Sequence, residues 1–187
     1  VCRDRKTKQW MTRAFAENST SKTPPLFITL TYNDWCIPPC GLLKEHVQLF
    51  MKRLRKRLSD DGYDCNIRFF LCGEYGKHTA RPHYHLLLWN FPYMYYFDMQ
   101  DYIQDAWSVI IDKVKGVTYL DDLYSNKDIV YTEEILKWNI GIRDYEKVTL
   151  FRKRLGFVYP LYVQTGAASY VMKYMRKEPT IPAHCVA

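Results

Sequence analysis

The sequence has no apolar run near the roughly 20 residues that cross a bilayer, so a transmembrane helix is excluded. No secretory signal pattern is visible either. None of its six cysteines forms a C-x2-C pair. Cys36 and Cys40 give only a loose C-x3-C, with no partner pair at zinc-finger spacing, so the thiols read as reduced and unpaired. Cys2 fits at most as the last ligand of a metal knuckle cut off at the start. Internal repeats and low-complexity stretches are missing too, which excludes solenoid and linker-like chains. The chain begins with Val rather than Met and reads as a fragment with an upstream piece missing.

What is present is basic and aromatic. Over 187 residues the formal net charge is +7, and aromatic residues make up 16%, with 16 Tyr. Hydrophobic content of 48% is enough for one folded domain spanning the whole chain. Positive charge favours a polyanionic partner, and interleaved aromatics suit stacking on unpaired bases.

Residues 3–17 read as a basic helix, and Leu26 to Tyr32 as a β-branched strand before the turn-like Asn33-Asp34. Leu42 to Leu58 is the clearest helix, with Leu43, Val47, Phe50, Leu54 and Leu58 on one stripe. Lys52, Arg53, Arg55, Lys56 and Arg57 crowd its end. They fit either a solvated basic terminus or a phosphate-contacting face, with Arg53 and Lys56 as DNA-binding candidates. Asn66 to Glu74 and His83 to Phe91 read as two strands of an antiparallel hairpin. Asp98 to Val114 reads as a helix, 115–155 as an insertion of strands and loops, and Gly156 to Gln164 as a strand. Thr165 is an N-cap for a last helix over 167–177. The pattern predicts an α+β domain with an antiparallel sheet and packed helices.

Two constellations carry chemistry. In His83-Tyr84-His85, strand alternation puts both imidazoles on one face, where they can share a divalent cation. A lone H-x-H is a weak signal. The following Leu86-Leu87-Leu88-Trp89 strengthens it, because paired histidines on a buried central strand need a reason to be there. The hairpin brings Glu74 beside them, and two His with one carboxylate leave positions open for water or phosphate. His46 and His78 lack such context and read as surface residues. In the last helix Tyr170 and Tyr174 lie one turn apart, off the apolar stripe, with Lys173 and Lys177 on their face. Nearby ammonium groups favour the phenolate, the form that attacks phosphorus.

Ile28-Thr29-Leu30-Thr31-Tyr32, Arg81-Pro82-His83-Tyr84-His85-Leu86-Leu87-Leu88-Trp89 and Tyr170-Val171-Met172-Lys173-Tyr174 together resemble the three motifs of the HUH endonucleases. Their order and spacing are similar to those of the microvirus replication initiators. The resemblance implies a sheet of about five antiparallel strands, and Mg²⁺ or Mn²⁺ on His83, His85 and a third ligand, for which Glu74 fits. It implies Tyr170 and Tyr174 acting in turn, Lys173 steadying the phenolate or phosphate, and Arg81 and Lys177 near the DNA. Single-stranded origin DNA would be the substrate, a host replication helicase a further partner, and the host bacterial cytoplasm the setting, with no membrane involved. A relaxase, a single-strand transposase and a non-catalytic single-strand binding module remain alternatives. A cupin-like enzyme and a histidine-triad hydrolase do not fit, since no acid follows His85 before Asp98 and position 87 is Leu.

Overall fold

A computed structural model describes residues 2–111, 130–139 and 141–163. Helix α1 spans Cys2–Thr20, strand β1 Leu26–Thr31 and helix α2 Lys44–Asp60. Strands β2 (Arg68–Tyr75) and β3 (Pro82–Trp89) follow, then helix α3 (Tyr96–Ala106) and strands β4 (Ser108–Ile111), β5 (Val130–Asn139), β6 (Asp144–Arg154) and β7 (Val158–Tyr162). A central antiparallel sheet has the order β2-β3-β1-β7, and a second sheet has the order β4-β6-β5. The α+β class is as expected. Among the described residues the central sheet has four strands rather than five, the other three forming the second sheet.

Alternation along β1 and β3 sorts the side chains by face. Leu26, Ile28 and Leu30 of β1 and Tyr84, Leu86 and Leu88 of β3 turn to one side, where they meet Val47, Phe50, Met51, Leu54 and Leu58 of α2 and Met99 and Ile103 of α3. Burying each of these apolar side chains contributes roughly 2 kcal/mol. The even-numbered residues of β2 and the odd-numbered residues of β3 face the other way. There Phe70, Leu87 and Trp89 form a smaller cluster with Ala14 of α1. The histidines lie on this second face.

Two expectations change. The helix expected over 98–114 stops at Ala106. Trp107 is fully buried, and its indole N–H donates to the Thr31 carbonyl at 2.8 Å, which ties the chain down. The β-branched Val109-Ile110-Ile111 then pair with β6 as a strand. His46 is half-buried rather than on the surface. Its Nδ1 lies 2.7 Å from the Tyr32 hydroxyl, which also meets the Tyr84 hydroxyl at 3.1 Å. Within the expected insertion, β5 and β6 form a long hairpin. Gly156 links it to β7 against the end of β1, where a Cβ would stand 2.0 Å from the Thr31 carbonyl oxygen.

Candidate metal centre

A central strand and a tight turn build the site. The β2–β3 turn is closed by the Gly76 N–H on the Arg81 carbonyl and the Ala80 N–H on the Gly76 carbonyl, both at 2.9 Å. That turn sets the register: Glu74 pairs with His83, and Cys72 with His85. On the other flank, Thr31 pairs with His83 and Thr29 with His85. Directly opposed residues share a face, so Glu74, His83, His85, Cys72, Thr29 and Thr31 line one surface.

The contacts follow from this register. His85 is buried, and its Nε2 donates to Glu74 Oε1 at 3.0 Å. Its Nδ1 lies 3.1 Å from the Thr29 hydroxyl, and its ring stacks on Phe27 with centroids 5.7 Å apart. Both ring nitrogens are therefore held, and the imidazole is fixed in orientation. The His83 Nδ1 is buried and has no hydrogen-bond partner. His83 Nε2 lies 3.1 Å from where a Cβ at Gly76 would stand, so that glycine makes room for the ring. Burial lowers the His83 pKa, His85 and Arg81 lower it further, and Glu74 opposes them. The neutral imidazole that results is the form that ligates metal.

Among the described residues no three His, Cys, Asp or Glu side chains are already gathered as a metal site. Two of the three expected donors do meet, Glu74 and His85, and His83 faces Glu74 across the ladder with a nitrogen left over. Two nitrogens and a carboxylate oxygen fit a divalent cation in donor chemistry and register.

The other sequence candidates are placed as follows. Arg81 pairs with Asp34 and donates to the Tyr32 carbonyl at 2.6 Å, tying the turn to the end of β1. Arg53 and Lys56 lie on α2, which packs on the face opposite the histidines. Arg53 Nε donates to the Ala106 carbonyl at 2.8 Å, and Lys56 forms an ion pair with Asp60 at 2.7 Å. Tyr170, Tyr174, Lys173 and Lys177 lie outside the described residues. Thr29, Phe27 and Gly76 are parts of the site that motif reading passed over. Thr29 and Phe27 sit within or beside the first motif, but only the strand pairing shows which imidazole they serve.

Fold and site together define an α+β protein whose central strand presents a histidine pair and a carboxylate on one face. The chain belongs to the replication-associated protein ORF2 family, whose family profile matches residues 25–179. It is 36% identical over 182 residues to replication-associated protein VP4 of Bdellovibrio phage phiMH2K, covering 95% of this chain and 46% of that protein. It is 29% identical over 167 residues to replication-associated protein ORF2 of Spiroplasma virus 4, covering 82% of this chain and 51% of that protein. To replication-associated protein ORF4 of Chlamydia phage 1 it is 30% identical over 182 residues, covering 95% of this chain and 36% of that protein. The chain thus spans about half or less of the length of these relatives. No solved structure matches it. Among the described residues no helix is long and apolar enough to cross a membrane.

Proposed function

We propose that the chain is the nicking domain of a rolling-circle replication initiator of the HUH type, cutting single-stranded DNA by tyrosine transesterification. One observation carries the reading: in a replication-associated protein, Glu74 and His85 are in contact at 3.0 Å, and His83 lies in register with Glu74 on the same sheet face. A nucleophile must be delivered to such a face, and the sequence offers the Tyr170–Tyr174 pair.

His83, His85 and Glu74 would hold Mg²⁺ or Mn²⁺, which supplies Lewis-acid polarisation of the scissile phosphate. Thr29 and Phe27 orient His85, and Gly76 leaves space for His83. The phenolate oxygen of Tyr170 or Tyr174 attacks phosphorus. The P–O3′ bond breaks as the P–O(Tyr) bond forms, and the phenol's proton ends on the departing 3′-oxygen. The products are a 5′-phosphotyrosine ester and a free 3′-hydroxyl. The ester conserves the bond energy, so a 3′-hydroxyl can reverse the step and rejoin the strand. Lys173 would steady the phenolate or the phosphate. A second tyrosine lets a regenerated origin be cut while the first remains esterified.

The test is a labelled single-stranded origin oligonucleotide incubated with the protein and Mn²⁺, with covalent adduct read on a denaturing gel. Tyr170→Phe or Tyr174→Phe weakens the adduct, and the double variant abolishes it. His83→Ala or a chelator stops cleavage while leaving most of the binding. Adduct from the double tyrosine variant defeats the nucleophile assignment, and cleavage without metal defeats the metal assignment.

A further inference from the structure

At the far end of the histidine face, α1, the end of α2 and the start of β2 enclose a cavity of about 720 Å³, within the size range of small-ligand sites. Trp10, Arg13, Arg55, Arg68, Phe69 and Trp89 are among its lining residues. The Arg13 guanidinium lies 5.0 Å from the Trp10 ring centroid, and that of Arg55 lies 5.8 Å from Phe69. Glu17 pairs with Arg68 at 2.7 Å, so three cations face one carboxylate and the cavity is positive. Trp10 and Phe69 are 39% and 41% exposed, a costly arrangement unless something covers them.

The cavity also holds an unmet donor. Trp89 is 3% exposed, and its indole N–H is buried without a hydrogen-bond partner. Buried indoles usually find an acceptor. Exposed rings, guanidiniums and an unmet donor together select the occupant. A peptide or lipid of apolar character has no use for three guanidiniums, and a simple anion has no use for the rings. A nucleotide uses all of them: its base offers a π-face and acceptor atoms on its edge, and its phosphate offers charge.

Position supports the same occupant. Trp89 shares β3 with His83 and, six residues on, lies on the same face at roughly 20 Å. A strand crossing the sheet from the histidines would reach the cavity.

We infer that this cavity seats an unpaired base of the bound single strand, its phosphate held by Arg13 and Arg68, at a distance from the cleavage site. The inference rests on the nuclease reading and adds to it a base-holding site.

The test measures fluorescence anisotropy of labelled dT12, and of a duplex of equal length, with the full chain. Arg13→Ala and Trp10→Ala each weaken dT12 binding about tenfold, and Trp89→Phe, which keeps the ring and removes the N–H, weakens it about threefold. Duplex binding stays unchanged, as does cleavage at saturating DNA. Arg13 is exposed, so Arg13→Ala decides the matter if Trp10→Ala fails to fold. If Arg13→Ala and Trp89→Phe bind dT12 as tightly as wild type, the cavity serves another occupant, such as a protein segment, and the inference falls while the nuclease reading stands. If wild type itself binds no single strand, the nuclease reading falls and takes the inference with it.

Discussion

Thr29 shows how much of the site depends on a side chain with no chemistry of its own. Its hydroxyl is 3.1 Å from Nδ1 of His85, the nitrogen turned away from Glu74. With Nε2 bound to a metal, Nδ1 must carry the proton, and the Thr29 oxygen is placed to accept it. Losing such a partner typically costs tenfold or more in metal affinity. Thr29→Val keeps the shape and the β-propensity of the strand. It should therefore raise the Mn²⁺ concentration for half-maximal cleavage by roughly tenfold, while the rate at saturating Mn²⁺ stays near wild type. An unchanged Mn²⁺ dependence would show that Phe27 stacking alone holds the ring.

At the scale of elements, α2 meets the sheet through a polar contact as well as an apolar one. Near its start, His46 touches the Tyr32 hydroxyl. Burial lowers the His46 pKa, Arg53 lowers it further, and Glu45 opposes. The unfolded chain therefore takes up this proton at a higher pH than the folded one. The stability tied to neutral His46 is fully present above about pH 6.5 and is lost as pH falls below it. Thermal melts from about pH 7.5 down to about 5.5 should show Tm falling, and His46→Gln should flatten the fall. It should not remove the fall, because His83 is lowered in the same direction. An equal slope in both proteins would mean His46 is not the group responsible.

What the sequence discloses divides along the same line between local and non-local. The α2 stripe, the β1–β3 alternation and the His83-x-His85 pair are periodic signals within one element, and a short turn made the Glu74 placement readable as well. The end of α3 was not readable, because Trp107 is fixed by Thr31, a residue 76 positions away. The cavity beside Trp89 was equally hidden, since α1, β2 and β3 each supply a part that looks ordinary alone. The four-strand order β2-β3-β1-β7 likewise places β1 between β3 and β7 only through pairings distant in sequence.

At the scale of the whole molecule, the net charge of +7 must be located before it can explain binding. The basic end of α2 spends much of its charge internally. Arg53 is on the Ala106 carbonyl, Arg55 on the Ile67 carbonyl, Lys56 on Asp60 and Arg57 on Asp105. By contrast α1 carries five cations, Arg3, Arg5, Lys6, Lys8 and Arg13, against two anions, Asp4 and Glu17. It also packs Ala14 against the histidine face, whereas α2 packs on the opposite one. Binding of a single strand on the histidine face should therefore draw its electrostatics from α1 more than from α2. Each phosphate contact contributes about 0.7 to the slope of log affinity against log salt for single strands. Arg13→Ala should accordingly lower the magnitude of that slope for dT12 by about 0.7, and Lys56→Ala by distinctly less. The measurement is a set of anisotropy titrations between roughly 50 and 300 mM NaCl. A larger loss from Lys56→Ala would relocate the DNA to the α2 side, away from His83 and His85.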